Sequence, residues 1–225
     1  MALRENLSLV RERITQAALA AGRDPQGVTL VAVTKTVAPE QVLLARELGL
    51  ADFGENRVQE ARVKAQQIQG ALRWHLIGPL QTNKVRAAVG LFSYFHALDR
   101  EAVADRLAQV LAAEGLTLPV LVEVNLSGEV TKAGLAPGAV AGFLERLVRY
   151  PQLVVRGLTT VPPRSSDPEA SRPFFRALWE LRERLATPER PLPDLSMGMT
   201  DDYVVAIQEG ATYIRLGRAL FGPRL

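Results

Sequence analysis

The chain has 225 residues, enough to bury a sizeable core, and its 48% hydrophobic and 23% charged residues are the proportions of an ordinary globular protein. A net charge of +3 with no run of five like charges gives no footing for nucleic-acid or membrane binding, and the absence of cysteine excludes disulfides and thiolate metal sites. No uncharged apolar run approaches the ~20 residues that span a bilayer, and "MALRENLSLVRERI" lacks the apolar centre of a signal peptide, so a cytoplasmic location is expected.

Leu3, Leu7, Val10, Ile14 and Ala17/Ala18 recur at helical spacing, so the chain opens on an amphipathic helix that ends near Gly22, before an Asp24-Pro25 turn. The stretch "TLVAVTKT" (29–36) follows as a buried, β-branched strand over 28–34, with Lys35 where the apolar run gives out. Further strands are predicted over 51–53, 73–77, 92–96, 119–125, 153–159, 193–196 and 212–216. Helical patterns fall between them over 39–48, 56–69, 81–89, 99–114, 137–149, 168–186 and 201–209. Pro39 and Pro137 suit first helical positions, Asp99 an N-cap, and Gly49, Gly70 and Gly115 follow helix ends.

Eight strands separated by helices predict a parallel α/β sheet, and the count favours closure as a (β/α)8 barrel with an extra N-terminal helix. An open doubly wound sheet is the alternative. No linker or compositional break divides the chain, so one domain over 1–225 is expected, with "VPPRSSDPEASRP" (161–173) as a loop within it.

In a barrel the functional face lies at the C-terminal ends of the strands. Polar clusters fall there: Lys35, "GEN" (54–56), "HLIGPLQTNK" (75–84), "EVNLSGEVTKAG" (123–134), "SMGMTDD" (196–202) and "RLGRALFG" (215–222). Ser196 and Gly198 after the seventh strand, with Gly217 and Arg218 after the eighth, make a phosphate cup, since barrels bind phosphate between those loops through backbone N–H groups. Asp201 is placed to cap the following helix.

Lys35 on the first strand neighbours that cup once the barrel closes. A lysine in a partly apolar mouth has its pKa lowered and becomes nucleophilic toward carbonyls. Phosphate and carbonyl on one small molecule describe pyridoxal 5'-phosphate (PLP) or a sugar phosphate, and Lys35 can form a Schiff base with either. Arg215 is read as binding phosphate, pairing with a carboxylate such as Glu123, or facing a heterocycle. His75 and His96 offer no metal-ligand spacing and read as hydrogen-bonded core or rim residues, with His75 kept as a supporting residue facing the mouth.

Taken in order, "LVAVTKT", "FGENRVQE", "WHLIGPLQTNK", "EVNLSGEVTKAG", "RGLTTVPP", "LSMGMTDDYVVAI" and "YIRLGRALFG" cover residues 30–222. In these stretches the chain resembles the pyridoxal phosphate homeostasis proteins, relatives of the N-terminal barrel domain of alanine racemase. The resemblance implies a PLP fold-type III barrel with PLP as cofactor, held as an internal aldimine on Lys35. It implies phosphate contacts from Ser196, Gly198, Gly217 and Arg218, the last two through backbone N–H. It further implies that Asn56 lines the cofactor site and Arg215 faces the pyridine nitrogen. Three positions depart from the pattern: Arg218 stands where threonine is common, Thr159 replaces a methionine, and Thr200 stands for a serine.

An arginine at the pyridine nitrogen cannot accept a proton, so the ring stays neutral and a weaker electron sink. The racemases of this resemblance use a second, β-rich domain and a tyrosine from it, whereas this sequence ends at residue 225 and its four tyrosines fall within the barrel pattern. The expected role is a PLP carrier or regulator of the cofactor pool, a monomer, with apo forms of PLP-dependent enzymes as candidate recipients. Alternatives are a racemase or decarboxylase acting on amino acids, or an aldolase-like barrel. Lys84 and Lys132 are candidates for a second, transient PLP site.

Overall fold

The computed structural model describes residues 2–68, 70, 72–129 and 131–223. The last position of the helix predicted over 56–69 therefore lies outside the described residues, as does Val130 of the loop after the fifth strand. Among the described residues, eight parallel strands run in sequence order and close on themselves. They are β1 (Thr29–Val33), β2 (Asp52–Glu55), β3 (Arg73–Leu76), β4 (Tyr94–Leu98), β5 (Leu118–Glu123), β6 (Leu153–Thr159), β7 (Asp194–Ser196) and β8 (Tyr213–Leu216). Closure rests on β1 pairing with β8, with Val31 opposite Arg215, and this excludes the open doubly wound alternative.

The helices α1 (Ala2–Ala20), α2 (Pro39–Glu47), α3 (Val58–Gln67), α4 (Val85–Ala88), α5 (Glu101–Glu114), α6 (Val140–Leu147), α7 (Arg172–Leu185), α8 (Tyr203–Gln208) and α9 (Arg218–Phe221) surround the strands. The helix after β8 is one turn long, too short to cover its share of the barrel. The predicted N-terminal helix α1 takes up that work, burying Leu3, Leu7, Val10, Ile14, Ala17 and Ala18 against α8 and α9. Asn6 Nδ2 donates to Leu220 O at 2.9 Å, so the docking is polar as well as apolar. None of the described helices is long and apolar enough to cross a membrane.

Several boundaries differ from the sequence reading. Asp99 does not cap α5: Arg100 holds the N-cap position, and the Asp99 carboxylate instead accepts from Gly134 N at 3.3 Å, tying the end of β4 to the loop after β5. The stretches 81–89 and 137–149 each begin as 3-10 turns, Thr82–Lys84 and Pro137–Ala139, before continuing as α-helix.

Side chains alternate between the helix layer and the barrel interior. The register Val33–Gly54–His75–Tyr94 across the first four strands marks one interior row. Gly157 on β6 allows a close approach to β7, because a Cβ there would lie 1.8 Å from Asp194 O.

Candidate functional site

Closure brings the end of β1 beside the ends of β8 and β7. Lys35, half-buried, follows β1 in a turn where Thr36 takes a φ of 64°. Thr34, fully buried, points outward, so Lys35 on the opposite face of the chain belongs to the mouth. The backbone beneath Lys35 is clamped: Lys64 Nζ on α3 donates to Thr34 O at 2.5 Å and to Glu55 Oε1 at 2.6 Å, and Thr34 Oγ1 donates to the same carboxylate oxygen at 2.7 Å. Burial raises the Glu55 carboxyl above its ordinary value despite hydrogen bonds from Lys64 and Thr34, and Glu55 Oε2 has no hydrogen-bond partner among the described residues.

On the other side of the mouth Gly198 holds a φ of 92° while packing on α8, where a Cβ would meet Ala206 Cβ at 2.5 Å and Tyr203 Cα at 3.0 Å. Its carbonyl accepts from Arg215 N at 3.0 Å, which levels the β7 turn with the end of β8. Gly217 is the N-cap of α9, Arg218 its first residue, and the Thr200 hydroxyl accepts from Ala219 N at 3.2 Å. Asp201 does not cap α8; it pairs with the Arg218 guanidinium, while Asp202 takes the cap position and accepts from Met199 N at 2.7 Å. Thr200, Gly198, Gly217 and Arg218 thus form one rim across the β7 and β8 turns.

Ser196 lies deeper, fully buried at the end of β7. Its hydroxyl is engaged by the Arg215 guanidinium and sits 2.9 Å from His96 Nδ1. Arg215 is buried and also donates to Thr159 Oγ1 at 3.1 Å and Thr160 O at 3.0 Å. Its hydrogen bonds therefore go to neutral oxygens, not to Glu123, although the two feel each other's charge. Burial and the neighbouring Asp99 push the Glu123 carboxyl up to about 7, against the pull of Arg215. Thr159, one of the departures noted in the sequence, supplies an oxygen to Arg215 where methionine could not.

Asn56 follows β2 and lines a cleft of about 630 Å³ beside the mouth with Arg57, Pro79, Leu80, Gln81 and Lys84. Lys84 therefore stands on the Asn56 side, in a different place from Lys132, which pairs with Glu129 at 2.8 Å in the loop after β5. His75 does not face the mouth. It is buried in the barrel interior, with Nε2 2.9 Å from Asp52 Oδ1 and Nδ1 2.9 Å from His96 Nε2. The reason is its place in the row with Gly54 and Tyr94, a full layer below the strand ends.

The arrangement places an amine at one side of the mouth, a turn with glycines and a hydroxyl at the other, and a buried guanidinium between β7 and β1. This donor set fits a small molecule bearing a carbonyl and a phosphate: the amine for the carbonyl carbon, the turn and hydroxyl for the anion. Sequence reasoning missed the Glu55–Lys64 clamp and the contribution of Thr200; both residues of the clamp lie in or just after "FGENRVQE", nine positions apart.

A family model described as "Alanine racemase, N-terminal domain" matches residues 1–224. The pyridoxal phosphate homeostasis protein of Aquifex aeolicus is 43% identical over 222 residues, covering 98% of this chain and 97% of that one. The protein of the same description from Pseudomonas aeruginosa is 43% identical over 221 residues, covering 98% and 95%. Among solved structures, PipY of Synechococcus elongatus without PLP superposes with a TM-score of 0.87 at 33% identity, covering 98% of this chain and 100% of that one. PipY with PLP bound gives 0.84 at the same identity and coverage. An alanine racemase of Clostridium difficile shares the fold, with a TM-score of 0.78 at 15% identity, and this chain covers 57% of it.

Proposed function

This chain belongs to the alanine racemase N-terminal domain family and, within it, to the pyridoxal phosphate homeostasis proteins, and from that premise we propose that it binds PLP and serves to hold the cofactor in reserve. Lys35 is the amine that holds the cofactor's aldehyde carbon, as an internal aldimine. The observation that carries the reading is the pairing of β1 with β8, which sets Lys35 beside the rim formed by Gly198, Thr200, Gly217 and Arg218.

The rim residues take the phosphate: backbone N–H of Gly217 and Arg218, the close-packed turn at Gly198, and the Thr200 hydroxyl. Ser196, expected among them from the resemblance, has its hydroxyl occupied by Arg215 and His96, so its part is to support Arg215. Arg215 faces the ring nitrogen as a permanent donor, and Asn56 lines the site from β2. PLP, when bound, supplies a reactive aldehyde and an electron-withdrawing ring.

The carrier role follows from what surrounds that ring. Arg215 holds only donors and stays charged, so it cannot hand a proton to the ring nitrogen, and the ring remains a weak electron sink. Tyr94 and Tyr213 are interior residues near Asp194, with phenols raised by burial and by that carboxylate, Tyr213 to about 12. Neither stands at the mouth as a proton donor to a substrate. Apo forms of PLP-dependent enzymes are the recipients this role implies, with the protein acting as a monomer in the cytoplasm and the barrel over 1–225 as one domain.

Carrier and amino-acid enzyme part on one assay. The PLP-loaded protein is incubated with each amino acid in deuterated water, and loss of the α-proton signal is followed. The carrier reading expects no multiple-turnover exchange; rapid exchange on any amino acid overturns it.

A further inference from the structure

Below the mouth, a file of polar groups runs through the barrel interior from Arg215 and Ser196 to residues that the binding reading leaves unused. Arg215 donates to Ser196 Oγ; Ser196 Oγ lies 2.9 Å from His96 Nδ1; His96 Nε2 lies 2.9 Å from His75 Nδ1; His75 Nε2 lies 2.9 Å from Asp52 Oδ1. Arg73 closes the file at the opposite end of the barrel, donating to Asp52 Oδ1 at 2.7 Å and Oδ2 at 2.6 Å. Ser196, His96 and His75 are at most 2% exposed, so every hydrogen-bonding atom in the file must find its partner within the protein.

The two ends set the direction of the protons. A guanidinium has only donors and an ionised carboxylate only acceptors. Asp52 is held ionised, its carboxyl kept below the ordinary value by His75 and Arg73 against the opposing effect of burial. His75 therefore donates from Nε2, and a neutral ring leaves Nδ1 to accept from His96 Nε2–H. His96 Nδ1 is then an acceptor, and the Ser196 hydroxyl proton goes to it while the Ser196 lone pairs face Arg215. Running the file the other way requires an imidazolium at His75 and leaves the Ser196 proton without its acceptor. Burial, together with the nearby charge of Arg215, keeps His96 neutral, in agreement with the first direction.

We propose that His75 and His96 are positioning residues for Arg215, acting through Ser196 in a one-way file of hydrogen bonds that ends on Asp52. The file fixes Ser196 as an acceptor for the guanidinium and so holds Arg215 at one orientation under the mouth. The proton order is a property of the protein alone, whereas its consequence for bound PLP rests on the reading above.

The chain has only two histidines, and both are in the file, so nitrogen NMR reads it without overlap. In ligand-free, 15N-labelled protein at pH 7.5, two-bond proton–nitrogen correlations are expected to show both rings neutral with the proton on Nε2. A proton on Nδ1 of either ring, or an imidazolium, overturns the proposal. Addition of PLP is expected to shift the His96 resonances while inorganic phosphate leaves them in place; a new cofactor absorption band with no His96 shift overturns the coupling to Arg215. His96→Leu and Ser196→Ala are each expected to weaken PLP binding about tenfold, and the double variant no further, since both break one file. Losses that multiply would contradict it. A protein that forms no absorption band with PLP fails the functional reading instead, and the tautomers still decide the proton order.

Discussion

Lys64 Nζ lies 2.6 Å from Glu55 Oε1, with both side chains buried between β2 and α3. The same ammonium holds the carbonyl of Thr34, so the pair fixes the residue immediately before Lys35. Removing one member of a buried pair leaves an uncompensated charge, which costs about 3–5 kcal/mol. Lys64→Met is therefore expected to lower stability by that order in chemical denaturation at pH 7. The double variant Glu55→Gln/Lys64→Met removes the stranded carboxylate and is expected to recover part of the loss. A double variant as unstable as the sum of the singles would contradict the pairing.

Glu123 gives a pH signature. Its carboxyl is raised from 4.5 to about 7 in the folded protein, by burial first and by Asp99 second. A raised carboxyl favours the folded state while protonated, and that contribution disappears as pH rises from about 4.5 through 7. Glu123→Gln is therefore expected to match the wild type near pH 4 and to exceed it above pH 7, by about 3 kcal/mol. Thermal denaturation across this range checks the sign; a gap that narrows with rising pH would be contrary to it.

Gly198 is expected to tolerate no side chain. Its φ of 92° and the 2.5 Å approach to Ala206 Cβ both penalise alanine. Gly198→Ala should cost about 2 kcal/mol or more, and it should weaken PLP binding beyond the loss of stability by displacing the rim. Isothermal titration on the folded fraction separates the two effects.

The strands and the N-terminal helix were legible because apolar periodicity records burial directly: every strand runs within about two residues of its pattern, and Leu3 to Ala18 bury the face they advertise. Closure was legible only as a count, since strand pairing is a long-range fact, and the Val31–Arg215 register is what settles it. The short helices after β3 and β7 were overextended because one-turn segments carry too few periods to show an end. At the site, single positions were readable where one residue sits at a strand end, as with Lys35 and Arg215. Partnerships were not. The pairing of Asp99 with Gly134, of Asp201 with Arg218, and of His75 with Asp52 and His96 depends on three-dimensional neighbours that spacing does not encode. The reading of His75 and His96 as hydrogen-bonded core residues agrees with the structure, and only the option of His75 facing the mouth fails, because its strand register puts it a layer lower.

The central claim is that Lys35 holds the cofactor, and borohydride reduction of PLP-loaded protein followed by peptide mass mapping tests it most directly. Reduction converts the carbon–nitrogen bond between cofactor and lysine into a stable amine. The expected result is one stoichiometric adduct on Lys35 and none in Lys35→Ala, which retains weaker, non-covalent binding through the rim. Loaded protein that yields no adduct, or an adduct on Lys84 or Lys132 with Lys35 unmodified, would contradict it.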